Sequence, residues 1–426
     1  MNNELRNNVQ KDNIIRKLFE YSLLLALIKI SGGARYEEYY SLKLVILLAV
    51  SFIYMIFQHR KLGYLQKSFV NNTFVVIVMA LCIFIVPAIN NSDKFGTYFG
   101  VFFQILIGFF VALSFERDKL KDKYINLIVF LSVFSLIGFA MCLFAPNLIT
   151  KLPIYDGLSP SYKYFDAFFF VVPVSRGYAA GVNVLLLRNS GLCWEPGCFQ
   201  AFVNLALLFF LDGCYKKLEK KRQLQVIAVL ILTIITTFSV TGILIMAIIV
   251  AFRWNNFIDI FSAGVKKNKK EISFLTFVVF GGAGIAAYFK SSVSSKVKSI
   301  LNNSYGYSLT YRLDLDRIKY IFVSPEGGIN FFGLSFETSE KYFPVFFNSI
   351  IHSAVCLGVI FTAIVLFLHI KAGRKLVSVP WLYFVTLIIS FCSEGLLYKA
   401  LFMAFTFSGC LMTRKDIINE STIRNC

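Results

Sequence analysis

The chain has 426 residues, of which 57% are hydrophobic and 17% aromatic, and its mean hydropathy is +0.68. This composition leaves too little polar surface to cover a soluble globule of that length, which excludes a water-soluble protein. The formal net charge is +19. In a membrane protein such an excess of Lys and Arg is typical of a cytoplasmic rim facing anionic lipid headgroups, so membrane lipids are expected partners and nucleic acid is not.

Apolar runs of about 16 to 22 residues recur along the whole sequence, too long and too uniform for the strands of a barrel. In hydrocarbon such runs satisfy their backbone hydrogen bonds as helices. We therefore predict an all-α, polytopic membrane protein in which residues 1–426 form one domain with about twelve transmembrane helices. The predicted spans are residues 14–31, 41–57, 73–90, 96–115, 124–146, 197–215, 223–238, 240–254, 272–289, 345–369, 377–393 and 395–413.

The Lys and Arg residues predict the orientation of these spans. Most of them fall in segments on one side, and the short connections on the other side carry almost none. Because cytoplasmic loops are enriched in Lys and Arg, this pattern predicts that both termini are cytoplasmic. Two long loops, residues 147–196 and 290–344, then face the external side. A loop of that length has a function of its own more often than it merely turns the chain.

The first long loop contains the first candidate for chemistry. Tyr162 to Val174 is rich in aromatic residues with few charges, which favours a segment lying in the outer interface. Glu195 and Pro196 then open the sixth span. Glu195 has two interpretations: a carboxylate beside the positive end of the helix dipole, or a carboxylate in an external cavity that acts as a general base or holds a sugar hydroxyl.

Cys193 and Cys198 flank this Glu-Pro pair, and their spacing allows either two free thiols or a disulfide that closes a very small loop. Thr236 to Gly242 divides a long apolar stretch, and its hydroxyls and glycine favour a tight external turn over a kinked helix. Four further charges fall in other external turns and are predicted to be solvated. They are Asp93, Lys94, Glu394 and Lys399.

The second long loop contains a candidate short helix, Leu309 to Val323, with Lys319 on a basic edge. It is either part of an anion site or an ordinary amphipathic surface helix. His352 follows Asn348 at the external end of the tenth span, where a neutral imidazole could accept a proton; the alternative is a polar residue with a structural partner.

Four arginines lie in the two long loops that also contain Glu195 and His352. Their planar guanidinium groups suit phosphate oxygens, which predicts an anionic ligand at the outer leaflet, such as a lipid-linked pyrophosphate. No phosphate-binding loop, His-Glu-x-x-His or Asp-x-Asp near a span end is present, so neither a metal nor a cofactor is expected. The arginines are Arg176, Arg188, Arg312 and Arg317.

The stretch Arg188 to Phe199, RNSGLCWEPGCF, resembles the Arg-x-x-Gly-x-x-x-Glu-Pro pattern of bacterial O-antigen and capsule repeat-unit polymerases, the Wzy family. Members of that family have about a dozen spans, two large periplasmic loops, a second loop rich in Arg, and a break similar to Ser239–Gly242. Asn348 and His352 are similar to the His-Asn element of the related O-antigen ligases, although the order here is reversed.

The resemblance implies a GT-C-type scaffold in the bacterial inner membrane that performs inverting, metal-independent glycosyl transfer at its periplasmic face. The substrate would be an undecaprenyl-pyrophosphate-linked oligosaccharide, with a chain-length regulator and a flippase as partners. Glu195 or His352 would be the catalytic base. The groups implied to bind the pyrophosphate or glycan are Arg188, Arg312 and Arg317, with Arg176 in support, together with Lys319 and Asn348.

Three other functions compete with the polymerase. An O-antigen ligase would use the same donor with a lipid A core as acceptor, and the Glu-Pro element favours the polymerase over it. A lipid-linked oligosaccharide flippase is expected to carry charges along a central path, whereas the middles of these spans are nearly free of charge. A secondary transporter would be supported by two similar halves of the sequence, which we do not see.

Overall fold

The computed structural model describes residues 2–34, 40–63, 65–92, 94–156, 163–173, 188–262, 318–325, 328, 330–342, 348–413 and 416. Helices account for most of these residues, as the apolar runs predicted. In chain order the helices are α1 (Asn2–Gly32), α2 (Tyr40–Leu62), α3 (Gln66–Ile89), α4 (Phe95–Ser114), α5 (Arg117–Phe144), α6 (Pro146–Ile149), α7 (Pro196–Leu211), α8 (Lys220–Thr236), α9 (Val240–Phe252), α10 (Trp254–Ser262), α11 (Phe336–Tyr342), α12 (Ser349–Leu376), α13 (Pro380–Ser393) and α14 (Ala400–Cys410).

Five of the described helices are long and apolar enough to cross a membrane, namely α2, α3, α4, α5 and α12. The consecutive helices α9 and α10, which meet at an angle of 83°, make a sixth candidate if they are taken together as one span. The chain is therefore a helical membrane protein. The predicted span at residues 272–289 lies outside the described residues. Helices α7, α13 and α14 are apolar but shorter, and their shortness shapes the candidate site.

Two helices form the centre of the bundle. Every residue of α7 and of α14 is buried, because both helices are mostly apolar and are surrounded by other helices. Helix α14 packs on α4 and α12, and α7 packs on α5, α8, α9 and α13. Aromatic rings fill the contact between the two groups, with Phe209 of α7 5.0 Å from Phe405 of α14.

The bundle has two ends, which we name by their contents. The loop end contains the last residue of α3 and the first residue of α4, and the described part of the second long loop lies on it. The tail end contains the first residues of α5, where the guanidinium of Arg117 binds Asp416 and donates to the backbone oxygens of Ser408 and Leu411. These hydrogen bonds hold the segment that follows α14 against the first turn of α5.

A small antiparallel sheet in the first long loop departs from the all-α prediction. Its strands, in the order β1-β2-β3, are β1 (Ile154–Asp156), β2 (Lys163–Asp166) and β3 (Val171–Pro173). The aromatic segment that we predicted to lie in the membrane interface supplies two of the strands. Aromatic residues favour strands, and here the Phe170 ring packs on Gly138 of α5, so part of the segment covers the bundle itself.

Helix α12 is not one straight span, which corrects the prediction for residues 345–369. Gly358 has φ +87° and ψ 161°, so the helix is interrupted there. The hydroxyl of Thr362 donates to that of Ser353 over 2.9 Å, whereas a straight helix would separate residues nine apart by about 13 Å. The chain therefore reverses at Gly358. Only the second half, residues 359–376, runs on to the tail end.

Candidate functional site

Four helices have one end at the same level inside the bundle: α1 and α13 end there, and α7 and α14 begin there. Helix α1 ends at Gly32, and its carbonyl oxygen lies 3.8 Å from the thiol of Cys198 in the first turn of α7. The amide of Leu401, in the first turn of α14, donates to the hydroxyl of Ser31 over 3.0 Å. The end of α13 reaches the same place, because Glu394 lies against Gly197 of α7. The meeting point is therefore built from four separate parts of the chain.

This meeting point lies well below the loop end. The amide of Ala400 donates to the Gln104 side chain over 2.8 Å, and Gln104 is nine residues after Phe95 along α4, which corresponds to about 14 Å along the helix axis. That distance is roughly half the thickness of a hydrocarbon core. We call this place the recess and define it by Gly32, Glu195, Glu394, Gly395 and Lys399.

The recess contains open space. Gly395 is exposed, and a methyl group built on it would meet no other atom within 4 Å. Glu195 and Lys399 are both partly exposed. A carboxylate and an ammonium group are therefore both partly exposed at about half the depth of the bundle.

Glu195 occupies the N-cap position of α7. Its backbone oxygen accepts from the amides of Cys198 and Phe199, and Pro196 provides a suitable first residue for the helix. The Glu195 side chain makes no capping hydrogen bond to α7. Glu195 therefore lies beside the positive end of the helix dipole, but its side chain does not cap the helix. The carboxylate remains available to a ligand in the recess.

Glu394 was predicted to be a solvated turn residue, and that prediction is wrong. Only 3% of the residue is exposed. Its carboxylate lies so close to Gly197 that a methyl group there would be 1.9 Å from Oε1. Glycine at position 197 thus makes room for a carboxylate at the positive end of the α7 dipole. The sequence did contain a signal, since Leu396 and Leu397 follow after Gly395, and two leucines are unusual in a solvated turn.

Lys399 was also predicted to be a solvated turn residue. It is instead the N-cap residue of α14, at the level of the recess. Its position differs from that of Lys94, which lies at the loop end in an exposed ion pair with Glu340. For Lys94 the expected exposed turn agrees with the structure.

His352 lies on the first half of α12 and is partly exposed. Its ring is 5.8 Å from that of Phe336 on α11, and it is within electrostatic range of Lys399 and Glu340. Asn348 begins the same half-helix, and its side-chain oxygen accepts from the amides of the second and third helical residues. Asn348 therefore has a structural role in positioning His352.

Arg188 lies beside the turn between α8 and α9, the two helices that follow α7. Its Nε donates to the backbone oxygen of Thr237 over 2.9 Å, in the turn between α8 and α9. This turn is the one predicted from Thr236 to Gly242. Arg188 also lines a cavity of about 10 Å³, enough for roughly one water molecule. The other residues that line it include Ser135, Phe170, Asn189 and Ser190.

The remaining candidates divide between described and undescribed residues. Lys319 is exposed on a single 3-10 turn, Lys319–Ile321. The other two residues of that turn belong to one hydrophobic cluster with Ile351, the residue before His352. This turn is the described part of the helix predicted at 309–323. Cys193 and Cys198 are free thiols. Three predicted phosphate ligands lie outside the described residues, namely Arg176, Arg312 and Arg317.

The turn between α13 and α14 connects the two groups of candidates. Arg188 and Glu195 belong to the first loop, and His352 belongs to the side covered by the second loop. On one side of the turn Glu394 contacts Gly197, two residues from Glu195. On the other side the amide of Leu397 donates to the hydroxyl of Ser349, three residues before His352. The role of this turn was not predicted, because Glu394 and Lys399 were expected to be solvated.

Within the described ranges, no group of three or more His, Cys, Asp or Glu side chains is arranged to hold a metal ion. Comparisons of the chain with protein-family models, with curated proteins and with solved structures find no match. The residues around the recess therefore provide the evidence for the function of this protein.

Proposed function

We propose that this protein is a glycosyltransferase that polymerises undecaprenyl-pyrophosphate-linked oligosaccharide repeat units into a surface polysaccharide. The observation that carries the proposal is the partly exposed carboxylate of Glu195 in an open recess at half the depth of a membrane-embedded bundle. An ionisable side chain at that depth costs several kcal/mol and points to a functional site. A lipid-linked substrate would reach such a site from the bilayer.

In the proposed reaction a hydroxyl oxygen of the acceptor sugar attacks the anomeric carbon of the donor glycan. The bond from that carbon to the pyrophosphate oxygen breaks, and the departing undecaprenyl pyrophosphate keeps the electron pair. Glu195 accepts the proton of the attacking hydroxyl. Because pyrophosphate is a good leaving group, the protein supplies mainly this base and cations that stabilise the departing charge.

The proposal assigns the cations to the two long loops. Arg188, Arg312 and Arg317 would hold the donor pyrophosphate, Arg176 would support them, and Lys319 would bind the glycan at the rim. His352 is the second candidate for the base, and Asn348 holds the half-helix on which it lies.

We further propose the topology that the charge pattern predicts. About twelve spans of GT-C type would place both termini in the cytoplasm and the recess on the periplasmic side of a bacterial inner membrane. A flippase would deliver the substrate from the cytoplasmic side, and a chain-length regulator would act on the product.

The test uses the full-length protein, purified in detergent and incubated with lipid-linked repeat units. We expect polymer from the wild-type protein, and a loss of at least about a hundredfold in rate for Glu195→Gln, as is usual when a general base is removed. Glu340→Gln is the matched control, because Glu340 is exposed at the loop end.

Each other outcome identifies a different function. Polymer from Glu195→Gln at the wild-type rate, with none from His352→Ala, would move the role of base to His352. Full ladders from both variants would reject the assignment of the recess. Product that forms only when a lipid A core is added would identify a ligase, and transport across vesicles without a new bond would identify a flippase.

A further inference from the structure

The turn from Glu394 to Lys399 is held rigidly on both flanks. Leu396 and Leu397 are fully buried. The amide of Leu397 donates to the Ser349 hydroxyl over 3.3 Å, and its carbonyl oxygen lies 3.1 Å from Nε2 of His369. The Glu394 carboxylate packs on Gly197 at the start of α7. Helices α7 and α12 therefore both fix the position of this turn, which continues directly into α14.

The rigid turn presents one cation to the recess. Lys399 is partly exposed, and it follows the open space at Gly395 by four residues. In the part of the chain that the structure describes, its ammonium group forms no ion pair with a carboxylate; the Tyr398 ring lies 6.0 Å away, and the His352 ring is within electrostatic range. By contrast Lys94, Lys121, Lys123 and Lys217 all form ion pairs of 3.0 Å or less.

The placement of Lys399 is unfavourable for the fold alone. It stands at the N-cap of α14, where the helix dipole repels a positive charge. It also lies about halfway down the bundle, where an ammonium group without a counter-charge is costly. A cation held rigidly in such a place, beside open space, is suited to an anionic ligand that supplies the missing charge.

We infer that the turn Glu394–Lys399 is a phosphate-binding site, in which Lys399 contacts a phosphate oxygen of the ligand and Glu394 is a positioning residue that fixes the turn on α7. Lysine binds phosphate as a compact point charge. The inference rests on the proposed function only for the identity of the group to which the phosphate is attached, a prenyl lipid. It adds to the arginines of the long loops a cation at the level of Glu195.

The test is a binding measurement on the purified full-length protein with three probes: farnesyl pyrophosphate, inorganic pyrophosphate and uncharged farnesol. We expect farnesyl pyrophosphate to raise the melting temperature of the wild-type protein and farnesol to leave it unchanged. Loss of a charged hydrogen bond should weaken binding about tenfold or more in Lys399→Met. Lys399→Arg should retain most of the affinity. Lys341→Met is the control, because Lys341 is exposed on α11.

The outcomes separate this inference from the proposed function. Equal weakening for inorganic pyrophosphate would show that the site recognises the phosphate itself, and weakening for the prenyl probe alone would show that it recognises a lipid phosphate. A Lys399→Met protein that melts like the wild type without ligand and binds farnesyl pyrophosphate equally well would overturn the inference, as would a wild type that binds none of the probes. Binding that depends on Lys399 in a protein that never forms polymer would sustain the site and reject the polymerase.

Discussion

At the scale of single residues, the contact between Gly197 and Glu394 gives a direct prediction. Gly197→Ala should lower the stability of the protein by about 1–3 kcal/mol, because the added methyl group overlaps the buried carboxylate. Truncation by Glu394→Ala makes room for that methyl group. The double variant should therefore lose less stability than the two single variants lose in sum, with a coupling of about 0.5–3 kcal/mol. Denaturation of the detergent-solubilised proteins measures all three values.

Gly395→Ala is the matched control for that cycle. It adds the same methyl group at the residue next to Glu394, where no atom lies within 4 Å of the new methyl group. The stability of this variant should therefore equal that of the wild type. If Gly197→Ala were equally silent, the carboxylate of Glu394 would not lie against α7, and the fixed turn on which the phosphate site depends would lose one of its supports.

Glu20 is the second residue with a measurable consequence, since it joins three helices. It is 5% exposed and accepts from Arg16 over 3.0 Å and from the Tyr54 hydroxyl over 2.6 Å, while Lys123 lies 2.8 Å from its other oxygen. Removing one partner of a buried ion pair typically costs about 3–5 kcal/mol. We expect Glu20→Ala to lower the melting temperature clearly and to expose α1 to protease.

The control for Glu20 is Glu340→Ala. Glu340 also forms an ion pair of 3.0 Å, with Lys94, but both side chains are exposed. Exposed pairs of this kind contribute little to stability, so the variant should melt with the wild type. Equal losses for the two variants would mean that Glu20 is not buried between α1, α2 and α5.

At the scale of secondary-structure elements, the reversal of α12 at Gly358 can be tested by cross-linking. Ser353→Cys with Thr362→Cys should form a disulfide under mild oxidation, because the two hydroxyls are 2.9 Å apart. Mass spectrometry of the digested protein detects the linked peptides. The control pair, Val76→Cys with Ile85→Cys, has the same spacing in the continuous helix α3 and should stay reduced. A straight α12 would leave both pairs unlinked.

The reversal of α12 could not be predicted from the sequence. Residues 345–369 are continuously apolar apart from a few polar positions, and Gly358 alone marks the break. The reversed chain is stabilised by backbone far away in sequence: the Val359 amide donates to Phe331, and the Leu334 amide donates to Val355. Hydrophobic periodicity contains no information about such pairings. The sheet in the first loop was missed for a similar reason, since its strands are only three or four residues long.

At the scale of the whole molecule, composition and apolar run length predicted a helical membrane protein, and helices α2 to α5 begin and end within about ten residues of their predicted bounds. These features are local, so the sequence determines them directly. The recess is different, because it depends on the levels at which α1, α7, α13 and α14 end relative to one another. Glu195 and His352 were found as unusual residues, but the turn between them required the packed bundle.

The orientation of the whole molecule is the prediction on which the polymerase depends most. If the loop end is periplasmic, Lys319→Cys should react with a membrane-impermeant maleimide added to intact cells, because Lys319 is exposed on that end. Lys119→Cys, at the tail end with a side chain that is 68% exposed, should react only after the cells are permeabilised. The unsubstituted chain measures the background from the native thiols. The opposite pattern would open the recess to the cytoplasm. It would exclude the proposed reaction at the periplasmic face and leave the phosphate site to be explained by a cytoplasmic ligand.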